Sequence, residues 1–305
     1  MPRIFYPDDF TDAPPTPGFD SALLQSDCPN AHIALYGADN ACCSVWWGAA
    51  PQGCIGHFFA DNNAAAEVIL QEAIKLLANN NCKEILAPMN GNTWREYRYA
   101  VLGADKPRFL MEPQLVLGRD NFLINAGFSL SDSYYSYDES LENAQKNPPK
   151  IPGGITLRSL DITRLEQELE GIYGLAITAF SQNPYYSPVN REVFVRQYLA
   201  YEKMLLPDLI LIAEDNGRTV GFLFCIPDFL QGERPDTILL KTIAVLPEYR
   251  SCGLGGCMME TAKHRAAQIG FARCIYALVY EKNASRKFCR AAELLREYSL
   301  FRRTL

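Results

Sequence analysis

The residues with the clearest capacity for chemistry form a glycine-rich segment between an apolar run and a helical pattern. Residues 250–256 read RSCGLGG, and they follow the apolar residues 238–245 and Pro247, which ends the strand because it cannot donate a ladder hydrogen bond. A glycine-rich turn between a strand and a helix directs unpaired backbone N–H groups to one spot, beside the positive end of the helix dipole. The spacing therefore predicts a binding site for a phosphate group.

The form of this segment excludes two common phosphate-binding motifs. No Gly-Lys-Ser/Thr follows the glycines, as a P-loop requires, and Gly256-Cys257-Met258 breaks the G-x-G-x-x-G spacing of a dinucleotide fold. One alternative stays open, which is that the glycines only form a tight turn from strand to helix.

The segment resembles the Arg/Gln-x-x-Gly-x-Gly/Ala signature of the GNAT superfamily of acyl-CoA N-acyltransferases, with Arg250, Gly253 and Gly255 at its fixed positions. The preceding residues 243–249, IAVLPEY, are similar to that family's strand leading into the loop. From about residue 155 to 305 the order of elements also matches the GNAT order. The resemblance implies an α/β fold with a mixed, mostly antiparallel sheet flanked by helices.

The patterns in this second half predict each element of that order. They predict strands at 155–158, 209–214, 219–226, 238–245, 273–280 and 298–301, and helices at 160–181, 191–204 and 283–292. A further helix follows the glycine loop, with Met258, Met259, Ala262, Ala266 and Ile269 at helical spacing. Asp215-Asn216-Gly217 predicts a hairpin turn between the second and third of these strands.

The first half repeats the same order, which indicates two tandem GNAT-like domains. We expect three strands within residues 32–59, a helix at 64–79 capped by Asp61 or Asn62, a strand at 83–87 and an aromatic edge strand at 133–137. On the helix, the side that we expect to be buried holds Val68, Ile69, Ala73, Ile74, Leu76 and Leu77.

The first half lacks the glycine loop. Residues 55–61, IGHFFAD, occupy the place that the strand and the loop occupy later, and Asp61 would repel a pyrophosphate there. We therefore expect no CoA in this half, which resembles the degenerate N-terminal half of tandem GNAT proteins. Residues 88–98, PMNGNTWREYR, resemble a segment that recurs in those proteins, either as a substrate-contacting wall or as a packed turn.

The expected domain boundaries follow from these patterns and from composition. They are an N-terminal arm at 1–20, the degenerate GNAT-like domain at 21–145, a Pro/Gly linker at 146–154 and a GNAT acyl-CoA-binding catalytic domain at 155–305.

The composition limits which cellular compartment and which binding partners we expect. The chain has 305 residues with a net charge of −6, which argues against a nucleic-acid-binding surface. No long uncharged apolar run is present, and the N-terminus lacks the basic start and apolar core of a signal peptide. We expect a cytoplasmic monomer or homodimer with no nucleic-acid or membrane partner.

Ten cysteines occur without a C-x-x-C pair, and Cys54-x-x-His57 is the only metal-like spacing. We therefore expect neither disulfides nor a bound metal. Cys257 lies near a helix start, where a thiolate would be stabilised, but a buried packing role is the expectation.

The resemblance implies acetyl-CoA or another acyl-CoA as the cofactor. The amides of residues 251–256 would receive the pyrophosphate, with Arg250 adding charge, while the preceding strand would splay and offer main-chain groups to the pantetheine arm. Asn283 and Ser285 match the family's Asn-x-x-Ala/Ser region, although a plain helix cap is an alternative for Asn283. The expected cofactor-binding residues are Ile243, Ala244, Val245, Arg250, Ser251, Cys252, Gly253, Leu254, Gly255, Gly256, Asn283 and Ser285.

The catalytic groups depart from the family pattern. Family members often carry a Tyr about seven positions after the Asn and a Glu on the strand before the loop, whereas this chain has Arg290 and Lys241-Thr242 there. The attacking amine must be neutral and the departing thiolate benefits from an acid. The remaining candidates are Tyr298, Tyr280 and Glu281, and the reaction could also rest on positioning, with water as the proton carrier.

The leading hypothesis is an N-acyltransferase, in the first place an N-acetyltransferase, that acts on a primary amine of a small molecule or a protein. A non-catalytic acyl-CoA-binding or interaction protein is the alternative that the missing acid and base motivate. A third hypothesis is an aminoacyl-tRNA-dependent transferase. The negative net charge and the intact glycine loop argue against it.

Overall fold

The computed structural model describes residues 2–6, 31–38, 40–48, 50–113, 120–142, 144 and 150–305. Most of the expected arm and the proline pair of the expected linker lie outside these residues. The strands are β1 (Arg3–Phe5), β2 (Ala31–Tyr36), β3 (Cys42–Trp47), β4 (Gln52–Phe59), β5 (Glu84–Ala87), β6 (Tyr99–Leu102), β7 (Ser129–Ser140), β8 (Ile155–Ser159), β9 (Leu211–Asp215), β10 (Arg218–Pro227), β11 (Thr237–Val245), β12 (Arg273–Tyr280) and β13 (Glu293–Thr304). The α-helices are α1 (Asn63–Asn79), α2 (Asp120–Asn125), α3 (Leu165–Phe180), α4 (Arg191–Leu199) and α5 (Leu254–Gln268).

The chain divides into two compact units that are not contiguous in sequence. Unit 1 takes the described residues up to Asp105, then Pro113–Ser133 and Glu297–Leu305. Unit 2 takes Lys106–Glu112 and Tyr134–Arg296. The boundaries of these units differ from the expected ones, because residues 106–112 pack with the second half of the chain and residues 297–305 pack with the first. The boundaries 21–145 and 155–305 stay a prediction.

Unit 1 is a mixed sheet with helix α1 against it. Strands β1 to β4 pair antiparallel in sequence order, β5 is parallel to β4, and the end of β13 pairs antiparallel with β5 and β6. Helix α1 begins one residue before the predicted start, and Asn62 caps it by accepting from the Ala65 amide. Ile69, Ala73, Ile74 and Leu77 are buried as predicted, but the prediction for Val68 was wrong, since Val68 lies outside the apolar stripe and is 53% exposed.

Unit 2 is a mixed sheet in the order β7-β12-β11-β10-β9-β8. Strands β8 to β11 pair antiparallel, β11 and β12 are parallel, and β12 pairs antiparallel with β7. The predicted hairpin between β9 and β10 is confirmed, with Asn216 and Gly217 both at positive φ. The aromatic strand expected at 133–137 is longer, and its residues from Tyr134 onward pair with β12 instead of closing the first half.

Three predicted helices are shorter than expected. Helix α3 begins at Leu165 after a 3₁₀ turn that Asp161 caps, and α4 ends at Leu199, with a separate 3₁₀ turn at Glu202–Met204. The helix expected at 283–292 is only a 3₁₀ turn, Ala284–Cys289. The final strand, expected at 298–301, begins already at Glu293, so no room remains for the longer helix.

The described cysteines and acidic side chains form no cross-link or metal cluster. None of the described cysteines forms a disulfide; they are Cys42, Cys43, Cys54, Cys82, Cys225, Cys252, Cys257, Cys274 and Cys289. Within the described ranges, no group of three or more His, Cys, Asp or Glu side chains could hold a metal ion. No helix in the described part of the chain is long and apolar enough to cross a membrane.

A buried ion pair fastens the segment Lys106–Glu112 inside unit 2. Arg296 and Glu112 are paired, and neither side chain has exposed surface. The other Arg296 nitrogen donates to the carbonyl oxygen of Lys106 at 2.6 Å and of Pro107 at 3.2 Å. Leu110 N donates to Asp228 Oδ1 at 2.8 Å, so the segment is held at both ends and in the middle.

Replacing Arg296 tests this anchor. Arg296→Met leaves the Glu112 carboxylate buried without its partner, which costs about 3–5 kcal/mol of unfolding free energy. Arg302→Met is the matched control, because Arg302 is half exposed and its contact with Glu84 is worth at most about 1 kcal/mol. The measurement is urea unfolding followed by circular dichroism, and equal midpoints for the two variants would contradict the anchor.

Candidate functional site

The glycine loop leads from strand β11 into the N-terminus of helix α5. After Val245, a 3₁₀ turn covers Pro247–Cys252, Gly253 follows at φ 84°, and α5 begins at Leu254. The Cys257 amide donates to Gly253 O at 3.0 Å, so the amides of residues 254–256 precede the first intrahelical hydrogen bond. Gly253 provides no side-chain cap. The helix start therefore presents backbone donors of the kind that bind an anion.

The loop glycines meet different requirements. Gly253 lies in the left-handed region, which glycine adopts without a Cβ penalty, and its surroundings are open. A Cβ on Gly255 would lie 3.5 Å from Ile243 Cδ1 and 3.6 Å from Phe288 Cζ, and one on Gly256 would lie 3.4 Å from Phe288 Cε1. Phe288 thus packs against the loop, a contact that the sequence pattern did not reveal.

Strands β11 and β12 diverge beside this loop. Their parallel register runs from Thr237 opposite Arg273 to Leu240 opposite Tyr276. Beyond it, β12 continues to pair with β7, across an irregularity at Leu278 (φ 60°), while β11 continues to pair with β10 as far as Val245. Residues 243–245 therefore have a strand neighbour on one side only within the described register. This is the splay that the resemblance implies for the pantetheine arm.

Arg250 contributes more than charge to the loop. Its Nε donates to Val245 O at 3.2 Å, and its Nη2 donates to Ala179 O at 2.9 Å. The side chain thereby ties the 3₁₀ turn to the end of β11 and to the last turn of α3. Ser251 and Cys252 are exposed in the same turn, and Cys252 Sγ donates to Tyr249 O at 3.0 Å.

A buried polar network holds helix α5 against the sheet. Lys263 Nζ lies 2.9 Å from Glu139 Oε1 and 3.2 Å from Glu260 Oε1, and the Tyr276 hydroxyl donates to Glu139 at 2.5 Å. Burial opposes the charge on Lys263, but its hydrogen bond to Glu139 and the nearby Glu260 carboxylate raise its pKa overall. Cys257 is buried, as the expected packing role requires, and burial raises the pKa of its thiol.

Asn283 and Ser285 lie at the start of the 3₁₀ turn after β12. The Asn283 side chain accepts a hydrogen bond from the Ser285 amide at 3.0 Å. Asn283 thus caps this turn, which is a 3₁₀ turn instead of an α-helix, and its contact with a cofactor stays a prediction.

The three catalytic candidates differ in surroundings. Tyr298 has no exposed surface, belongs to unit 1 and lies opposite Ala100 of β6. Tyr280 ends β12, is half-buried and has its ring 5.1 Å from that of Tyr134. Glu281 pairs with Lys282 at 3.3 Å, and its carbonyl accepts from Arg286. Only Tyr280 and Glu281 share a unit with the glycine loop.

Aromatic side chains of α3, α4 and β10 contact one another in unit 2. Tyr173, Phe194, Tyr198 and Phe224 form a chain of ring contacts with centroids 4.8–5.4 Å apart. Burial raises the pKa of Tyr198 to about 12, although its hydroxyl bonds the side chain of Thr242 on β11. Burial, and secondarily Tyr173, also raises the pKa of Tyr186, which stays protonated at neutral pH.

Unit 1 contains a similar divergence between β4 and β5, and its own chain fills the gap. The parallel register ends with Cys54 opposite Leu86. The Met89 amide then donates to Ile55 O at 2.8 Å, and Asn90 Oδ1 accepts from the His57 amide at 2.8 Å. These bonds satisfy main-chain groups of β4 that the divergence leaves without a strand partner.

Two further contacts close unit 1 at this point. A Cβ on Gly56 would clash with Met89 O and lie 2.7 Å from Asn90 Cα, so the filling segment rests directly on the strand. At the start of α1, Asn62 already caps the helix, and Asp61 accepts from Asn40 at 2.8 Å. Neither the slot nor the helix start resembles its counterpart in unit 2.

The family model of the acetyltransferase (GNAT) family matches residues 175–292. An uncharacterized N-acetyltransferase, YhfO, from Bacillus subtilis is 37% identical over 67 residues, which are 22% of this chain and 44% of that protein. A bacterial ceramide synthase from Caulobacter vibrioides is 25% identical over 189 residues, which are 57% of this chain and 48% of that protein. The chain thus spans less than half the length of these two relatives.

Solved structures share the fold of nearly the whole chain. A GCN5-related N-acetyltransferase from Sphaerobacter thermophilus has a TM-score of 0.55 at 13% identity and covers 99% of this chain and 95% of its own. A tandem GNAT protein from the clavulanic acid biosynthesis pathway has a TM-score of 0.55 at 11% identity, with 96% and 91% covered. Residues 175–292 thus match the GNAT acetyltransferase family, and nearly the whole chain shares the fold of solved GNAT proteins, one of which is a tandem GNAT protein.

Gly56→Ala tests whether the chain fills the slot of unit 1. The added methyl group must displace the backbone of Met89 and Asn90, which costs about 1–3 kcal/mol. Gly37→Ala is the control in the same unit, because its Cβ would meet only ordinary contacts at 3.6 Å. Trp46, Trp47 and Trp94 are the only tryptophans and all lie in unit 1, so fluorescence-detected unfolding reports on this unit. Equal stability of the two variants would contradict the contact.

Proposed function

We propose that this protein is an N-acyltransferase that moves an acyl group from acyl-CoA, in the first place acetyl-CoA, to a primary amine of a small molecule or a protein. The observation that carries the proposal is the pairing of an uncapped helix start with a strand that diverges from its parallel neighbour. One feature binds a pyrophosphate and the other an amide-bearing arm, and CoA contains both. A cytoplasmic location is part of the same proposal.

The residues of unit 2 fit acyl-CoA. The amides of residues 251–256 hold the pyrophosphate, and Arg250 both braces the loop and adds positive charge. The main chain of Ile243, Ala244 and Val245 holds the pantetheine arm on the side that β12 leaves, and Ser285 contacts the arm beyond the Asn283 cap. Bound acyl-CoA supplies an activated thioester. The chain binds and orients it against the amine.

We assign the proton donor for the departing thiolate to Tyr280. It lies on the diverging part of β12, whereas Tyr298 is fully buried and Glu281 is ion-paired with Lys282. A water molecule is the proton acceptor for the amine, because Lys241 and Thr242 stand where family members carry a Glu.

A second candidate is N-acylation of a long-chain amine. The relative named a bacterial ceramide synthase supports it, since the match covers 57% of this chain. The aromatic rings of Tyr173, Phe194 and Tyr198 supply an apolar lining beside Thr242 of β11. A panel of small amines, peptide amines and long-chain amino alcohols distinguishes these acceptors.

We also propose that one chain binds one acyl-CoA. The N-terminal domain is degenerate, because Met89 and Asn90 occupy the main-chain groups of β4 and Asn62 occupies the start of α1.

Gly253→Glu tests the cofactor site. The substitution puts a carboxylate and a Cβ at a left-handed position in the anion site, so we expect at least about a 100-fold loss of acetyl-CoA affinity. Gly217→Glu is the matched control, because Gly217 has φ 79° and open surroundings in the β9–β10 hairpin. Isothermal titration calorimetry gives both affinity and stoichiometry.

Wild-type protein should bind one acetyl-CoA per chain and Gly253→Glu none. Undiminished affinity in a folded Gly253→Glu variant would contradict the cofactor assignment. Two acetyl-CoA sites in the wild type, with one retained in Gly253→Glu, would show that unit 1 also binds acetyl-CoA.

Tyr280→Phe tests the assigned acid. With acetyl-CoA and an amine panel, and free thiol as the readout, we expect kcat to fall about 100-fold with the KM for acetyl-CoA unchanged. Tyr201→Phe, a half-buried tyrosine that precedes the Glu202–Met204 turn, is the control. If acetyl-CoA stabilises the protein but no acceptor gives turnover, the non-catalytic alternative replaces the proposal. Salt-sensitive RNA binding without CoA binding would instead favour the tRNA-dependent transferase.

A further inference from the structure

The segment Lys106–Glu112 has no role in the reaction as described above, although it packs within the same unit as the glycine loop. Besides Arg296 and Asp228, a third charged side chain holds it: Lys241 Nζ donates to Met111 O at 2.6 Å. Met111 has φ 61°, a backbone conformation that a side chain of this size rarely adopts. The segment is thus held in a strained conformation directly beside β11.

Lys241 marks the closed end of the slot between β11 and β12. The last parallel pair is Leu240 opposite Tyr276, and Lys241 is the next residue of β11. Phe224 lies opposite Thr242 and Cys225 opposite Leu240, so Lys241 is the additional residue of a β-bulge. A bulge next to a strand divergence is a common means of redirecting one side chain at a site.

A pantetheine arm that starts at the glycine loop and follows β11 must end near Lys241. From Val245 back to Lys241 the strand spans roughly 13 Å at about 3.3 Å per residue. Beyond Lys241 the two strands are paired, and the slot offers no further room. The thioester and its acyl group therefore leave the slot where Met111 O meets the Lys241 ammonium group.

We propose that Phe109, Leu110 and Met111 form the wall that limits the length of the acyl chain, and that Lys241 is the positioning residue that holds this wall in place. Phe109 is buried and Leu110 and Met111 are half-buried, so the wall is apolar, as an acyl chain requires. The inference rests on the proposed function. The three residues of this wall, which would determine specificity for the acyl chain, lie in the first half of the sequence.

Met111→Gly removes the side chain at a backbone position that glycine adopts without strain, so the variant keeps the fold. We expect the affinity for hexanoyl-CoA, relative to acetyl-CoA, to increase about 10-fold or more, the discrimination that apolar pockets show between chain lengths. Met204→Gly is the matched control, because Met204 is exposed in the Glu202–Met204 turn. Calorimetric titration with CoA, acetyl-CoA and hexanoyl-CoA needs no acceptor.

Lys241 is tested by a conservative pair of substitutions. Lys241→Met deletes the donor to Met111 O and should shift the hexanoyl-to-acetyl ratio in the same direction, while Lys241→Arg keeps a donor and should restore the wild-type ratio. Lys203→Met, an exposed lysine, is the control. A purely structural role for Lys241 would weaken all three ligands equally and leave the ratio unchanged.

The outcomes separate the two levels of inference. Unchanged ratios in Met111→Gly and Lys241→Met, with CoA itself bound as in the wild type, would overturn the acyl-length wall and leave the proposed function intact. If wild-type protein binds none of the three ligands, the proposed function fails and the wall with it.

Discussion

The structure depends on one constraint, which is that the main-chain polar groups of a strand need partners when the neighbouring strand leaves. The constraint arises twice in this chain, at the last parallel pair of β4 with β5 and at that of β11 with β12. In unit 1, Met89 and Asn90 satisfy the groups from within the chain. In unit 2 no strand pairs with residues 243–245 on the β12 side within the described register, and under the proposed function their main-chain groups hold the pantetheine arm. The same local topology is thus filled by the chain itself in unit 1, whereas in unit 2 it is the ligand slot of the proposed function.

The rest of the unit 2 site keeps that edge rigid. A slot that holds its ligand through main-chain hydrogen bonds gains affinity only if the strand and the helix start stay fixed before binding. Arg250 ties the loop to β11 and α3, and the Lys263–Glu139–Tyr276 network ties α5 to β12 and β7. Each device uses a charged group whose hydrogen bonds end on protein atoms. Most of the polar side chains around the site therefore act as supports for backbone donors.

Local patterns predicted the parts of the site that local physics determines. The glycine loop, the hairpin at Asn216-Gly217 and the Asn62 cap of α1 each depend on a few adjacent residues, and the sequence predicted them. Contacts across long sequence separations were not accessible in this way. No spacing or motif in the sequence predicts the Arg296–Glu112 ion pair or the packing of Phe288 on Gly255. Local patterns also predict less than a full element at Asn283, because a capping residue does not show whether an α-helix or a 3₁₀ turn follows it.

The non-contiguous units give a physical reason why the two halves stay on one chain. The contiguous sequence 155–305 lacks Glu112, the partner of its fully buried Arg296, and also lacks the Met111 carbonyl that Lys241 bonds. Unit 1 in turn takes its strand next to β5 from residues 297–304 at the C-terminus. A cut at the expected linker would therefore leave a buried charge unpaired in one piece and an open sheet edge in the other, and both are costly. The N-terminal half of the sequence thus supplies residues 106–112 to the unit that holds the glycine loop.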